Sequence, residues 1–302
     1  MSKKILVATE KPFSPVAVEK IKNVIEKNGN TLVLLEKYTD KAQLLEAVKD
    51  VDALIVRSDK VDQEVLDAAK KLKIVVRAGA GYDNLDTAYA STKDIICENT
   101  PGQNSNAVAE LVIGLAIMAE RNFYNGKSGG ELKDRKIGIH GMGHVGQNVA
   151  RIANGFGMSV YSYRRSKDEE PGVTRLSSPE ELYKTCDVIS LHIPLNDKTA
   201  KSVNYDLLKL LPKDAVLVNT ARKEVINEDD LLKVMLERPD IKYVTDLNPD
   251  KEAEFCKLEG QYFSTPKKMG AQTAEANINA GVAAAEQICK YFSTGDTTFR
   301  VN

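Results

Sequence analysis

Residues 136–146 read Lys136-Ile137-Gly138-Ile139-His140-Gly141-Met142-Gly143-His144-Val145-Gly146, and they decide the fold. The run Lys136–His140 predicts a short strand, and a helix is expected from Val145. Between them, Gly141, Gly143 and Gly146 fit GxGxxG. The spacing gains its meaning from that strand–turn–helix context. The first glycine makes the tight turn, the second lets a pyrophosphate approach the backbone, and the third lets helix and strand pack. The N–H groups at the helix start, around His144 and Val145, then face phosphate oxygens.

Outward from this loop the chain alternates. Strands are expected at Lys4–Thr9, Thr31–Leu35, Ala53–Val56 and Ile74–Ala78, with helices Pro15–Lys27, Asp40–Val48 and Val61–Ala69 between them. After the apolar helix Ser105–Arg121 comes a glycine-rich linker, Asn125–Gly130. A second series then runs through strands Lys136–His140, Ser159–Tyr163, Val188–Leu191, Ala215–Asn219 and Tyr243–Asp246. Helices are expected near Pro179–Lys184, at Tyr205–Leu210 and at Glu228–Leu236, with a final one over Ala274–Tyr291. Such βαβα alternation predicts parallel sheets covered by helices, in two α/β domains around a cleft. The segment Ala78-Gly79-Ala80-Gly81 ends a strand on the edge where open α/β sheets bind ligands.

Composition narrows the function classes. Lys plus Arg number 42 and Asp plus Glu 43, for a net charge of -1, which argues against binding nucleic acid or a membrane surface through bulk charge. Hydrophobic residues make up 42%, enough for a sizeable core. The longest apolar tract, Ala107–Ala119, carries Glu110 and is too short to span a membrane. The opening residues lack a signal peptide's apolar core. The four cysteines are scattered without metal-ligand or redox spacing, so no metal and a reducing cytoplasm are expected. Only three histidines occur, His140, His144 and His192.

An NAD site of this kind usually ends its second strand in an acid that binds the ribose 2′-hydroxyl. Here Tyr163 is followed by Arg164, Arg165 and Ser166. Two guanidiniums and a hydroxyl suit a 2′-phosphate, so the cofactor is read as NAD or NADP.

Together these blocks resemble the D-isomer-specific 2-hydroxyacid dehydrogenase family over nearly the whole chain. The resemblance rests on five segments in order: 76–86, 99–110, the glycine loop through Met158, Leu191-His192-Ile193-Pro194-Leu195, and Val218-Asn219-Thr220-Ala221-Arg222. It implies a Rossmann cofactor domain over 100–272 and a discontinuous, flavodoxin-like substrate domain over 1–99 and 273–302. It also implies a homodimer through the cofactor domain. His192, Pro194, Thr220, Ala221 and Asp246 would serve the cofactor. Ala78, Gly79, Ala80 and Gly81 would offer backbone N–H groups to a substrate carboxylate. Arg57, beside Ser58 at a strand end, would hold a substrate phosphate.

Hydride transfer at C2 of a 2-hydroxy acid is the chemistry implied. Arg222 supplies a permanently charged fork for carboxylate and carbonyl. The family's proton acceptor is a histidine after Thr-Pro, but this chain reads Thr265-Pro266-Lys267-Lys268-Met269-Gly270. Lys267 or Lys268 is therefore the expected acid/base. A free lysine has a pKa of about 10.4 against about 6.5 for histidine, so a base role needs burial or like charge to lower it. The orienting acid is displaced as well, leaving Asp250 and Glu252 as candidates. Three readings stay open: a dehydrogenase of a phosphorylated hydroxy acid, an NADPH-linked reductase of small 2-oxo acids, and a silent dinucleotide sensor.

Overall fold

The computed structural model describes residues 2–164 and 170–302. The chain divides into two compact units, Met1–Asn104 with Thr273–Asn302, and Ser105–Gln272. The long helix Ser105–Glu120 therefore opens the second unit, and the glycine-rich segment 125–130 lies inside it rather than between the two. Gly130 N–H donates to Glu120 O at 2.8 Å, folding that segment back on the helix end. The expected boundary at 99/100 falls short of the division after Asn104. Thr100 N–H still bonds Gly79 O at 3.0 Å, tying the crossing segment to the first unit.

In the first unit, β1 (Lys4–Thr9), β2 (Thr31–Glu36), β3 (Ala53–Val56), β4 (Ile74–Arg77) and β5 (Ile96–Asn99) form a parallel sheet in the order β2-β1-β3-β4-β5. This is the flavodoxin-like winding. The central strands are apolar on both faces because helices cover both. Ile5, Ile55 and Val76 meet helix Pro15–Lys27 and the last helix, Ala274–Thr294, while Leu6, Leu54 and Val75 meet Leu44 and Val65 on the other side. β5 and the helix Thr87–Thr92 go beyond the sequence expectation. Helix Pro15–Lys27 starts as its sequence dictates, with Ser14 capping Ala17 N–H and Pro15 in the first turn.

In the second unit, β6 (Lys136–His140), β7 (Ser159–Tyr163), β8 (Thr174–Arg175), β9 (Val188–Leu191), β10 (Val216–Asn219), β11 (Lys242–Thr245) and β12 (Tyr262–Ser264) are all parallel, in the order β12-β11-β10-β9-β6-β7-β8. This is the dinucleotide-binding winding with one further edge strand. Strand order reverses at β6, whose neighbours are β7 and β9, and the crevice at such a switch point is where ligands bind. Among the described residues no helix is long and apolar enough to cross a membrane.

Candidate active site

The glycine loop sits at the switch point. Gly141, at φ +102°, takes a conformation open to glycine, and a Cβ there would stand 2.8 Å from the His192 carbonyl. A Cβ on Gly146 would stand 2.4 Å from Gly141 O, so the helix His144–Gly155 packs on the turn only with glycine there. Gly143 occupies the N-cap without a side-chain cap, leaving the first-turn N–H groups of His144, Val145 and Gly146 directed out of the helix start. A cavity of about 720 Å³ opens at this point, lined by Gly141, Gly143, Tyr163, Arg164, His192 and Pro194 among others. A turn that admits backbone to phosphate, an uncapped helix start and a cavity of this size fit a dinucleotide.

Arg164 Nη1 donates to Met142 O at 3.2 Å, placing a guanidinium beside the glycine turn where an acid is usual. Arg165 and Ser166 lie outside the described residues. His192 Nε2 is 2.7 Å from Ser190 Oγ, and His140 Nδ1 is 3.3 Å from Tyr183 OH. Burial pushes the His140 ring down to about 4. Burial and then the neighbouring His140 push His192 down to about 3, so both rings are neutral at physiological pH. Pro194 O accepts from Thr199 Oγ1 at 2.5 Å, which shapes the turn after β9.

A second cavity of the same unit, about 360 Å³, gathers Arg222, Asp246, Lys267 and Lys268. Asn219 at the end of β10 organises it. Its Oδ1 accepts from Ala221 N–H at 3.0 Å and its Nδ2 donates to Arg222 O at 3.0 Å. This Asx turn throws Arg222 off the strand end. Sequence reasoning passed Asn219 over, although an Asn closing a buried strand is the available signal. Arg222 Nη1 and Lys268 Nζ both donate to Ala221 O. Thr220 is buried in the same turn, and its Oγ1 lacks a partner among the described residues.

Asp246 follows β11 and is fully buried. Its Oδ2 accepts from Met269 N–H at 3.1 Å and Gly270 N–H at 2.7 Å, tying the lysine-bearing loop to the sheet. Burial raises its pKa, opposed by the Gly270 N–H and the Lys268 charge. Its Oδ1 has no partner among the described residues, an acceptor that a carboxamide N–H of a nicotinamide would satisfy. The Asp250 carboxylate is bound by Lys223, and Glu252 opens the short helix Glu252–Phe255. Neither lines the cavity that holds the two lysines.

In the first unit, Arg57 Nη1 donates to Lys11 O at 2.9 Å and Pro12 O at 3.1 Å, and Nη2 bonds Asn277. The guanidinium lies 5.1 Å from the Phe13 ring centroid, and burial lowers its pKa. Ser58 next to it is exposed. Ala78 N–H continues the β3–β4 ladder by bonding Val56 O at 2.8 Å. Gly79, at φ +146°, leaves room for the Arg77 side chain that folds over it. Ala80 O accepts from Asn99 Nδ2 at 2.5 Å, so Asn99 holds the end of the loop that closes with Gly81.

A family model described as D-isomer specific 2-hydroxyacid dehydrogenase, NAD binding domain, matches residues 105–262. The chain belongs to the D-isomer specific 2-hydroxyacid dehydrogenases. It carries that family's NAD binding domain, and the glycine loop lies within the matched residues. It is 36% identical over 271 residues to a D-3-phosphoglycerate dehydrogenase of Methanocaldococcus jannaschii, covering 83% of this chain and 51% of that one. The chain thus spans about half the length of that relative. It is 33% identical over 283 residues to a hydroxypyruvate reductase of Thermotoga maritima, covering 87% of this chain and 92% of the relative. The NAD+-bound structure of 3-phosphoglycerate dehydrogenase from Entamoeba histolytica matches with a TM-score of 0.89 and 46% identity, covering 100% of this chain and 99% of that one.

Proposed function

We propose that this dehydrogenase interconverts D-3-phosphoglycerate and 3-phosphohydroxypyruvate, the step that commits carbon to serine synthesis. The observation that carries the chemistry is the meeting of Arg222 and Lys268 on the Ala221 carbonyl, in one cavity with Asp246. Bound nicotinamide dinucleotide supplies or takes up the hydride. Arg222 neutralises the substrate carboxylate and polarises the C2 carbonyl. Lys268 donates the proton to the developing C2 oxygen in reduction and receives it in oxidation. A free ammonium is protonated near neutrality, with a pKa of about 10.4, so the proton-donating direction is favoured there. Lys267 is the alternative donor from the same cavity. Asp246 holds the loop that carries both. On the sequence resemblance, Arg57 is assigned to the substrate phosphate and the backbone N–H groups of Ala80 and Gly81 to the substrate carboxylate, those of Ala78 and Gly79 being taken by Val56 O and Arg77 O. The similarity to the two phosphoglycerate dehydrogenases supports the substrate. Pairing of two chains through the cofactor unit, in the cytoplasm, belongs to the same reading, and light scattering on the purified chain tests the pairing.

A second reading, an NADPH-linked glyoxylate or hydroxypyruvate reductase, is favoured by Arg164 beside the glycine turn and by the hydroxypyruvate reductase relative. One spectrophotometric panel separates them, with phosphohydroxypyruvate, hydroxypyruvate and glyoxylate each assayed against NADH and NADPH. A kcat/KM for the phosphorylated acid at least tenfold above the others supports the first reading, and the reverse order supports the second. Turnover of no 2-oxo acid would overturn both and leave a dinucleotide sensor.

A further inference from the structure

The first unit contains a cavity of about 460 Å³ between β5, the C-terminal half of helix Ala274–Thr294 and the residues after it. Glu98, in β5, lines it and is 1% exposed, with Oε1 buried and without a hydrogen-bond partner among the described residues. Gln287, on the helix Ala274–Thr294, also lines it, and its Oε1 is buried and unpartnered in the same sense. Leaving such acceptors unsatisfied is costly, so two in one cavity call for a donor.

The lining charge says what kind of donor. Lys290 is bound to Asp296 at 2.8 Å, and the other Asp296 oxygen accepts from the Thr298 N–H and hydroxyl. The acids left over are Glu98 and Glu286. Burial, then Asp296, pushes the Glu98 carboxyl up to about 7, a group that would regain its charge beside a cation.

We propose that this cavity is a binding site for a small primary amine of diamine size, whose ammonium donates to Glu98 and Gln287. The volume suits such a ligand, being within the range of small-molecule sites. The site belongs wholly to the first unit, whereas the glycine-loop cavity and the Arg222–Lys268 cavity belong to the second. Gln103 also lines it, two residues before the chain passes into the second unit at Ser105. A ligand there therefore touches the connecting segment.

The test is titration calorimetry of the full chain with 1,4-diaminobutane, with 1,4-butanediol and ionic-strength-matched sodium chloride as controls. Saturable binding of one diamine per chain is expected, with neither control saturating. Glu98→Gln should weaken binding at least tenfold, and Ala283→Phe, which fills the cavity from its lining, should abolish it. Circular dichroism establishes that each variant is folded, and either variant alone decides the matter. Absence of saturable heat, equal binding of the diol or the salt, or unchanged affinity in a folded variant would overturn the proposal. Unsaturable behaviour means that water fills the cavity.

Discussion

Arg222 and Lys268 share one oxygen, the Ala221 carbonyl, which accepts from Nη1 at 2.9 Å and from Nζ at 3.3 Å. Two donors brought to one acceptor set the Lys268 ammonium beside the guanidinium proposed to bind the substrate carboxylate. Replacing Lys268 by Met is expected to lower kcat for reduction by 10²- to 10⁴-fold, the usual worth of a positioned acid/base. Lys267→Met should cost less, since Lys267 has no such tie to Ala221. The pH–rate profiles of both variants in both directions check this. Unchanged kinetics in both would remove lysine from the chemistry.

Asp246 predicts a graded result. Asp246→Asn keeps one acceptor for the Met269 and Gly270 N–H groups and sets an amide where Oδ1 lacks a partner. Asp246→Ala strips both N–H groups of their acceptor. The alanine variant should lose about 2–3 kcal/mol, the worth of hydrogen bonds to a buried charge, and the asparagine variant less. Urea unfolding measures the difference, and proteolysis of the 265–272 loop should rise in parallel.

The glycine turn is intolerant for two separable reasons. Gly141→Ala strains a φ of +102° and pushes the His192 backbone, so NADH binding should weaken at least tenfold. Gly146→Ala presses a methyl onto Gly141 O and should cost about 1–3 kcal/mol of stability, as overpacking does. Fluorescence titration with NADH and thermal melting distinguish the two.

Stability should fall as pH drops from 6.5 towards 4. His140 and His192 have folded pKa values of about 4 and about 3, below the unfolded value, so in this window the unfolded chain binds more protons. Glu98 works the other way: its folded value of about 7 favours the native state at low pH and loses that contribution as pH rises. Two histidines outweigh one glutamate. The urea midpoint should therefore be lower at pH 5 than at pH 7, and Glu98→Gln should widen that gap. A midpoint independent of pH would contradict it.

If Arg57 holds a phosphate, Arg57→Ala should raise KM for phosphohydroxypyruvate at least tenfold while leaving glyoxylate turnover within about twofold, since a charge-assisted fork discriminates by charge. Equal loss for both substrates would assign Arg57 a purely structural role, holding the Lys11–Pro12 carbonyls and Asn277.

Both sheets were readable because their central strands are apolar runs between glycines and helical periods. Lys136–His140, Ser159–Tyr163 and Val188–Leu191 end where their patterns end. β5 escaped because Ile96-Cys97-Glu98-Asn99 carries polar residues in a buried strand, and burial of Glu98 is a tertiary fact. β12 is three residues long and edge-bound, below what periodicity can register. At the site, Arg222 and the lysines could be named from their neighbours in sequence. The Ala221 carbonyl that gathers Arg222 and Lys268 could not, because the Asn219 turn and the Asp246 tie bring together Ala221 and Lys268, 47 residues apart. The capture of Asp250 by Lys223 is likewise a choice among charges that spacing leaves open.

The second unit is an insertion between Asn104 and Thr273, and the helix Ala274–Thr294 completes the hydrophobic layer against Ile21, Ile55 and Val76. During synthesis the inserted unit has all its strands outside the ribosome while the first unit still exposes that face. The emerging polypeptide must therefore mature from its middle outward, and the earliest-made third waits longest for a partner. Premature termination near Gln272 should accordingly leave the first unit without the helix that covers Ile21, Ile55 and Val76.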